Sequence, residues 1–186
     1  YFMKYKVLKN TIGFLLLCLM TLSSAVFADY KKGLSAHNKG NYSLAFREYK
    51  SAAEDGSAPA QHSLGILYAQ GKGVTKDVKK AYEWFEKAAL NNHPPSQYNM
   101  GMAYFRGKYH YKDTSLAEKW LAKAAKRGHP SAQLNLGNMY IEGNLVDKDL
   151  SKAKAYIKAA FENPRAKEST KRNAKDSWEK GKLWEY

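Results

Sequence analysis

The residues of this sequence best suited to catalysis or metal binding are its histidines: His37, His62, His93, His110 and His129. No two of them stand four positions apart, the spacing with which a helix presents two imidazoles to a zinc ion. His93 and His129 each precede a proline and lie 36 residues apart. We therefore expect these two histidines to belong to a repeated turn, and we expect no metal site.

Other catalytic patterns are incomplete. The segment Gly71-Lys72-Gly73 resembles part of a phosphate-binding loop but lacks the full Gly-x-x-x-x-Gly-Lys pattern and a preceding strand. There is no Gly-x-Ser-x-Gly nucleophile elbow, and the carboxylates are scattered over polar positions. We expect no enzymatic activity, no catalytic residue and no cofactor.

A spacing of 36 residues recurs through the middle of the chain. At this interval the following sets are identical: Gln61, Gln97 and Gln133; Gly65, Gly101 and Gly137; Tyr68, Tyr104 and Tyr140; Gly71, Gly107 and Gly143; Asp77, Asp113 and Asp149; Ala81, Ala117 and Ala153. A fixed period between about 20 and 50 residues is typical of a repeat array.

Each repeat is predicted to be a pair of helices. The second helix carries an apolar stripe at offsets 0, 3, 4, 7 and 8, namely Ala81, Trp84, Phe85, Ala88 and Ala89, and we expect all of it to be buried. Asp113 and its equivalents stand where this helix begins and can cap its free N–H groups. Pro59, Pro94 and Pro130 stand near the start of the first helix. One such hairpin cannot bury its apolar face alone, so stacked hairpins are expected.

The unit from Gln61 to Ala89 resembles the Sel-one-like repeat, a relative of the tetratricopeptide repeat (TPR). The resemblance covers Pro59 to Phe161 and implies an all-α fold, an α/α superhelical solenoid of helix-turn-helix repeats. It also implies an adaptor between proteins, often in bacterial envelopes or at host contacts. Some secreted relatives staple each repeat with a disulfide and are described as binding penicillins, but the only cysteine here is Cys18.

The repeat at the amino-terminal end departs from the pattern. Gly33 precedes Ala45 by 12 residues, whereas Gly65 precedes Ala81 by 16, which predicts a shorter, TPR-like turn. At the other end, Phe161 replaces a small residue and is expected to fill a wider gap beneath a C-terminal capping helix. The predicted segments are a signal peptide at 3–28, a TPR-like capping repeat at 29–58, Sel-one-like repeats at 59–94, 95–130 and 131–165, and the capping helix at 166–186.

The start of the chain has the pattern of a secretory signal. Three lysines precede an apolar run from Ile12 to Leu22, and small residues follow it. Cleavage is expected after Ala28 or after Ala25, and the run is shorter than the ~20 apolar residues of a membrane span. Cys18 lies inside this run, so the mature chain would have no cysteine. These features predict a periplasmic or secreted protein.

The formal net charge is +14. A basic protein can bind nucleic acid or other polyanions, but an export signal argues against nucleic acid. Two hypotheses remain. The first is a scaffold that binds a protein or peptide, and the alternative is a basic protein that docks on an anionic cell-envelope polymer.

A candidate groove follows from the resemblance, because first helices line the concave side of TPR-like solenoids. In each first helix, the groove positions are counted from the recurring glycine, which is Gly65, Gly101 or Gly137. They lie three residues before this glycine and one, four and five residues after it. They are His62, Ile66, Ala69 and Gln70; Tyr98, Met102, Phe105 and Arg106; and Leu134, Asn138, Ile141 and Glu142. Aromatic residues, methionine and arginine are enriched at interfaces, which favours the set around Phe105.

Overall fold

The structure, a computed structural model, describes residues 26–108, 111–143 and 146–185. In these residues it contains helices and no β-strand. The helices are α1 (26–38), α2 (Tyr42–Glu54), α3 (Ala58–Gln70), α4 (Val78–Leu90), α5 (Pro94–Arg106), α6 (Thr114–Lys126), α7 (Pro130–Glu142), α8 (Leu150–Glu162), α9 (Glu168–Lys180) and a 3-10 helix (Leu183–Glu185). The expected signal sequence falls almost entirely outside the described residues.

The chain forms two compact units, the first ending at Asp77 and the second beginning at Val78. In the first unit α2 packs on α3, and in the second unit each helix from α4 to α9 packs on the next. The predicted fold class, an all-α solenoid of helix-turn-helix repeats, is confirmed.

The core of the first unit is built around Tyr49, which is only 2% exposed. Gly33 lies against its ring, since a Cβ added to Gly33 would stand 2.6 Å from Tyr49 Cδ1. In the second unit a Cβ added to Gly101 would stand 2.7 Å from Leu121 Cγ. The glycine and its large partner are 16 residues apart in the first unit and 20 in the second, so the predicted shorter turn is confirmed.

The core of the second unit draws large side chains from several helices. Leu121 of α6, Leu136 of α7 and Ile157 of α8 are buried together. The C-terminal segment adds Ala174 of α9 and Leu183 of the 3-10 helix, both 0% exposed. The last turns of the chain are therefore part of this core.

The helix starts follow the sequence signals. Asp113 Oδ1 accepts a hydrogen bond from the Leu116 N–H at 2.8 Å, and Asp149 Oδ1 accepts one from the Lys152 N–H at 2.8 Å. Pro94 begins α5 and Pro130 begins α7, where the missing N–H has no intrahelical partner to lose. The predicted caps in the second unit are confirmed.

Each hairpin turn is closed at its base by one backbone hydrogen bond. The Asp77, Asp113 and Asp149 N–H groups donate to the carbonyls of Tyr68, Tyr104 and Tyr140 at 2.9, 3.1 and 3.1 Å. The first helix of each hairpin ends at a glycine with φ of 70°, 62° or 64°: Gly71, Gly107 and Gly143. Glycine adopts this left-handed conformation without the steric cost that a Cβ brings.

Trp84 and Trp120 depart from the predicted buried stripe, because both are only partly buried. Lys87 Nζ lies 4.0 Å from the Trp84 ring centroid, and Lys123 Nζ lies 4.4 Å from that of Trp120. These positions stand at the edge of the stripe, where the lysine one helical turn later covers the ring. The fully buried partner is the next residue, as at Leu121, which is 0% exposed.

Phe161 also differs from its prediction, since it is 49% exposed and fills no gap. It borders a cavity of about 550 Å³ between α8 and α9, together with Trp178. Ile157 and Ala160 lie in the core. The alanines equivalent to Phe161, Ala89 and Ala125, are small enough to be buried, at 1% and 4% exposed, whereas the larger ring of Phe161 stays at the edge of the core.

Candidate partner-binding face

The first helices of the repeats are fixed at their starts by a buried glutamine. Gln97 Nε2 donates to the Ala89 carbonyl at 3.1 Å, and Gln133 Nε2 donates to the Ala125 carbonyl at 3.3 Å. In the first unit Gln61 Nε2 makes the same bond to the carbonyl of Ala53 at 3.1 Å. Each bond ties a first helix to the end of the second helix before it. Equivalent residues of α5 and α7 are therefore held at the same place relative to the preceding second helix. This alignment allows the two helices to contribute to one binding face.

The candidate positions of the first unit lie on α3. His62, Ile66 and Ala69 are partly buried, and Gln70 is exposed at the last residue of the helix. This set presents a mixed surface with a polar end.

In the second unit, Tyr98 and Met102 of α5 are held against α7. Asn135 Nδ2 lies 3.4 Å from Tyr98 Oη and 3.2 Å from Met102 Sδ, and donates to both. The Tyr98 ring also stacks on His129 with centroids 4.7 Å apart. Asn135 was not among the predicted positions. Its only sequence signal is a polar residue within the largely apolar α7.

Phe105 and Arg106 stand at the carboxyl end of α5. Phe105 is partly buried and Arg106 is exposed. Within the part of the chain that the structure describes, the Arg106 guanidinium makes no hydrogen bond or ion pair. It borders a cavity of about 840 Å³ with Tyr104 and Tyr111, and Tyr111 is 97% exposed. The hydrogen-bonding groups of Arg106 therefore remain available to a ligand at this end of α5.

The α7 positions are divided between core and surface. Leu134 is buried in the core of the unit, and Ile141 packs partly against it. Ile141 also lies beneath the C-terminal segment, since its Cδ1 is 3.1 Å from where a Cβ on Gly181 would stand. Asn138 is partly buried and Glu142 is exposed. Leu134 and Ile141 are therefore occupied in packing, and Glu142 is the most accessible of the four.

His129 acts as a helix cap in this unit. Its Nδ1 accepts a hydrogen bond from the Ala132 N–H at 3.2 Å, a bond that only an unprotonated nitrogen can accept. Burial, and to a smaller extent the positive charge of Arg165 and the neighbouring His93, lower the pKa of His129 from its usual value to about 4. Burial also lowers the pKa of His93. Both histidines occupy the repeated turn, as expected.

Neither a metal-binding cluster nor a membrane-spanning helix is found among the residues that the structure describes. Nowhere in them do three histidine, cysteine, aspartate or glutamate side chains gather as a metal site would need. None of the described helices combines the length and the apolar character that crossing a membrane requires.

The fold and the repeated joints define a class of helical repeat scaffolds. The model of the Sel1 repeat matches residues 58–93, 94–129 and 130–163. These matches cover more than half of the chain, which therefore belongs to the Sel1 repeat family.

Two solved structures are similar. One is a Sel1 repeat protein from Oxalobacter formigenes, 31% identical with a TM-score of 0.69, matched over 75% of this chain and 58% of that one. The other is a protective antigen of uropathogenic Escherichia coli with the Sel1-like repeat fold, 32% identical with a TM-score of 0.62, matched over 76% of this chain and 33% of that one. This chain thus spans less than two thirds of either protein. A comparison with curated proteins finds no match.

Proposed function

We propose that this protein is an exported repeat scaffold that binds another protein or peptide through the first helices of its repeats. Membership of the Sel1 repeat family supports the scaffold role, since such repeats typically mediate protein–protein interaction. Its site is the face of α5 and α7 that carries Tyr98, Met102, Phe105, Arg106, Asn138 and Glu142.

One observation carries the choice of this face. Phe105 and Arg106 are consecutive residues in the last turn of a helix whose other end is fixed by the buried Gln97. Phenylalanine and arginine are both among the residue types enriched at protein–protein interfaces. A rigid helix presents such a pair with little ordering cost on binding.

The test compares two double variants in capture of partners from an envelope extract. Phe105→Ala with Arg106→Ala removes the proposed centre. Leu90→Ala with Lys79→Ala removes an exposed apolar and an exposed basic residue from α4 and serves as the matched control. The first variant should lose about 2 kcal/mol or more of binding free energy to the captured partner, as hot spots do. The control should bind like the parent.

None of the four residues changed is buried in the core, so helical content and melting temperature should stay near those of the parent. A folded Phe105→Ala, Arg106→Ala variant that binds its partner with parental affinity would exclude this face. Equal weakening in both variants would also count against it.

A further inference from the structure

A second surface lies on the second helices of the repeats, between α6 and Tyr156 of α8. It is a cavity of about 740 Å³, open to solvent, and we call it the basic groove. The side chains that define it are Lys119, Trp120, Lys123, Lys126, Arg127 and Tyr156. Leu116 and Ala122 complete the lining, so no carboxylate borders the basic groove.

The basic residues here are not neutralised by neighbours. Among the described residues, neither Lys119 nor Lys126 takes part in an ion pair or a hydrogen bond through its side chain. Arg127 donates to the neutral Asn92 side chain at 2.7 Å. The nearby carboxylate of Glu118 is engaged elsewhere, because it accepts a hydrogen bond from the Tyr140 hydroxyl at 2.5 Å. The positive charge of the basic groove is therefore available to a ligand.

The charge is specific to this repeat. In α4 the positions equivalent to Lys119, Ala122, Lys126 and Arg127 are Glu83, Glu86, Leu90 and Asn91. In α8 they are Ala155, Lys158, Glu162 and Asn163. Favourable interaction with the helix dipole accounts for a lysine in the last turn, such as Lys126, but not for Lys119 further from the end.

Aromatic surface accompanies the charge. Trp120 and Tyr156 are both only partly buried. Lys123 lies over one face of the indole and Tyr140 stacks on the Tyr156 ring, so a ligand would meet the remaining exposed surface of the two rings among the cations. An acidic side chain would meet the lysines, while an aromatic or large apolar side chain would lie against the indole. A polymer that carried charge alone would leave this apolar surface uncovered.

We infer that the basic groove is a second interaction surface, one that takes an acidic protein segment bearing aromatic or large apolar side chains. It shares no residue with the face of α5 and α7. The two proposals can therefore fail independently.

The probe is a fluorescein-labelled peptide of repeated Glu-Glu-Phe units, followed by fluorescence anisotropy at low salt. Lys119→Glu with Lys126→Glu should weaken its binding at least about tenfold, a difference that repulsion at two sites readily produces. The control is Lys39→Glu with Lys79→Glu, which has the same net charge and changes two exposed lysines elsewhere. It should bind the peptide nearly as tightly as the parent does.

Three competitors identify the ligand chemistry. Unlabelled Glu-Glu-Phe peptide should displace the probe at far lower concentration than poly-glutamate or polygalacturonate of equal charge. The Phe105→Ala, Arg106→Ala variant should still bind the probe. If the groove variant proves unstable by circular dichroism, Lys119→Ala with Lys126→Ala replaces it.

Any of three results would overturn the inference. The first is failure of the parent to bind the peptide at low salt. The second is an equal loss of affinity in both reversal variants, which would reveal a net-charge effect. Equal competition by polygalacturonate would assign the surface to polyanions in general.

Discussion

Asn163 Nδ2 donates a hydrogen bond to Gln133 Oε1 at 2.9 Å, and this bond completes a buried joint between repeats. The same amide group donates to the Gly128 carbonyl at 3.1 Å. The equivalent acceptor one repeat earlier, Gln97 Oε1, is buried and has no hydrogen-bond partner among the described residues. The residue equivalent to Asn163 there is Arg127, whose side chain reaches Asn92 instead. The last joint is thus more fully satisfied than the one before it.

Replacing Asn163 by alanine should therefore destabilise the protein by about 1–3 kcal/mol, because it leaves the buried Gln133 Oε1 without a donor. Chemical denaturation measures this change. Arg127→Ala is the control from the equivalent position of the preceding repeat, and since Arg127 is exposed it should change the unfolding free energy by no more than ~0.5 kcal/mol. Equal effects of the two changes would mean that the Asn163 bond contributes no net stability.

The partial burial of Trp120 predicts that its replacement by alanine lowers the unfolding free energy less than replacement of the neighbouring Leu121 does. Leu121 is fully buried, so Leu121→Ala should cost about 2–5 kcal/mol. Trp120 is only partly buried, so Trp120→Ala should cost less than the ~3–5 kcal/mol of a deleted core aromatic. Urea unfolding of both variants gives the order directly. A larger loss at Trp120 than at Leu121 would place the indole in the core after all.

The histidine at the start of α7 makes stability depend on pH. The pKa of His129 is about 4 in the folded protein and ~6.5 in an unfolded chain, so the unfolded chain binds more protons between these values. Stability contributed by the neutral ring is fully present above pH ~6.5 and is lost as the pH falls towards ~4. His93, whose pKa is also lowered, acts in the same direction.

The variant His129→Asn isolates this contribution, because asparagine can still cap α7 but does not titrate. Its unfolding free energy, measured by denaturation at a series of pH values, should fall less steeply than that of the parent between pH ~6.5 and ~4. Identical slopes would show that protonation of His129 is not linked to unfolding. Comparing slopes also removes the constant loss of the Tyr98 stacking contact.

Export remains a prediction from the sequence. If the apolar run from Ile12 to Leu22 is a cleaved signal, the protein recovered from an envelope fraction should begin at Asp29. Intact-mass measurement distinguishes this from a chain that begins at Val26, the product of cleavage after Ala25. A membrane-embedded chain that retains Met3 would contradict export by this route.

The sequence predicts those parts of the fold that depend on local chemistry. The 36-residue period gives the hairpins, and short-range signals such as Asp113 and Pro94 give the helix starts. The recurring glycine lies where two helices pack closely, since a Cβ on Gly137 would stand 2.6 Å from Ile157 Cδ1. These features need only a few neighbouring residues or the fixed spacing of the repeat.

Contacts between side chains of different repeats could not be predicted from the sequence. Asn163 and Asn135 act on residues 30 or more positions away, and nothing in the repeat pattern marks them. The candidate face has the same difficulty, because a groove position is open only if no other segment covers it. Ile141 has a groove position and an apolar side chain, but the C-terminal segment lies over it. Which positions remain free for a partner is therefore decided by tertiary packing.

The backbone bond that closes each hairpin turn has a consequence for how such a chain can change. Tyr104 O and Asp113 N are main-chain atoms, and almost any residue could supply them. The loop residues that follow Gly107 and precede Asp113 can vary in identity and number at little cost, because loop-closure entropy grows only slowly with length. Insertion of an epitope tag or a reporter peptide at these places should leave the helices on either side undisturbed. The turns are thus where a repeat protein of this kind can acquire new sequences without refolding its array.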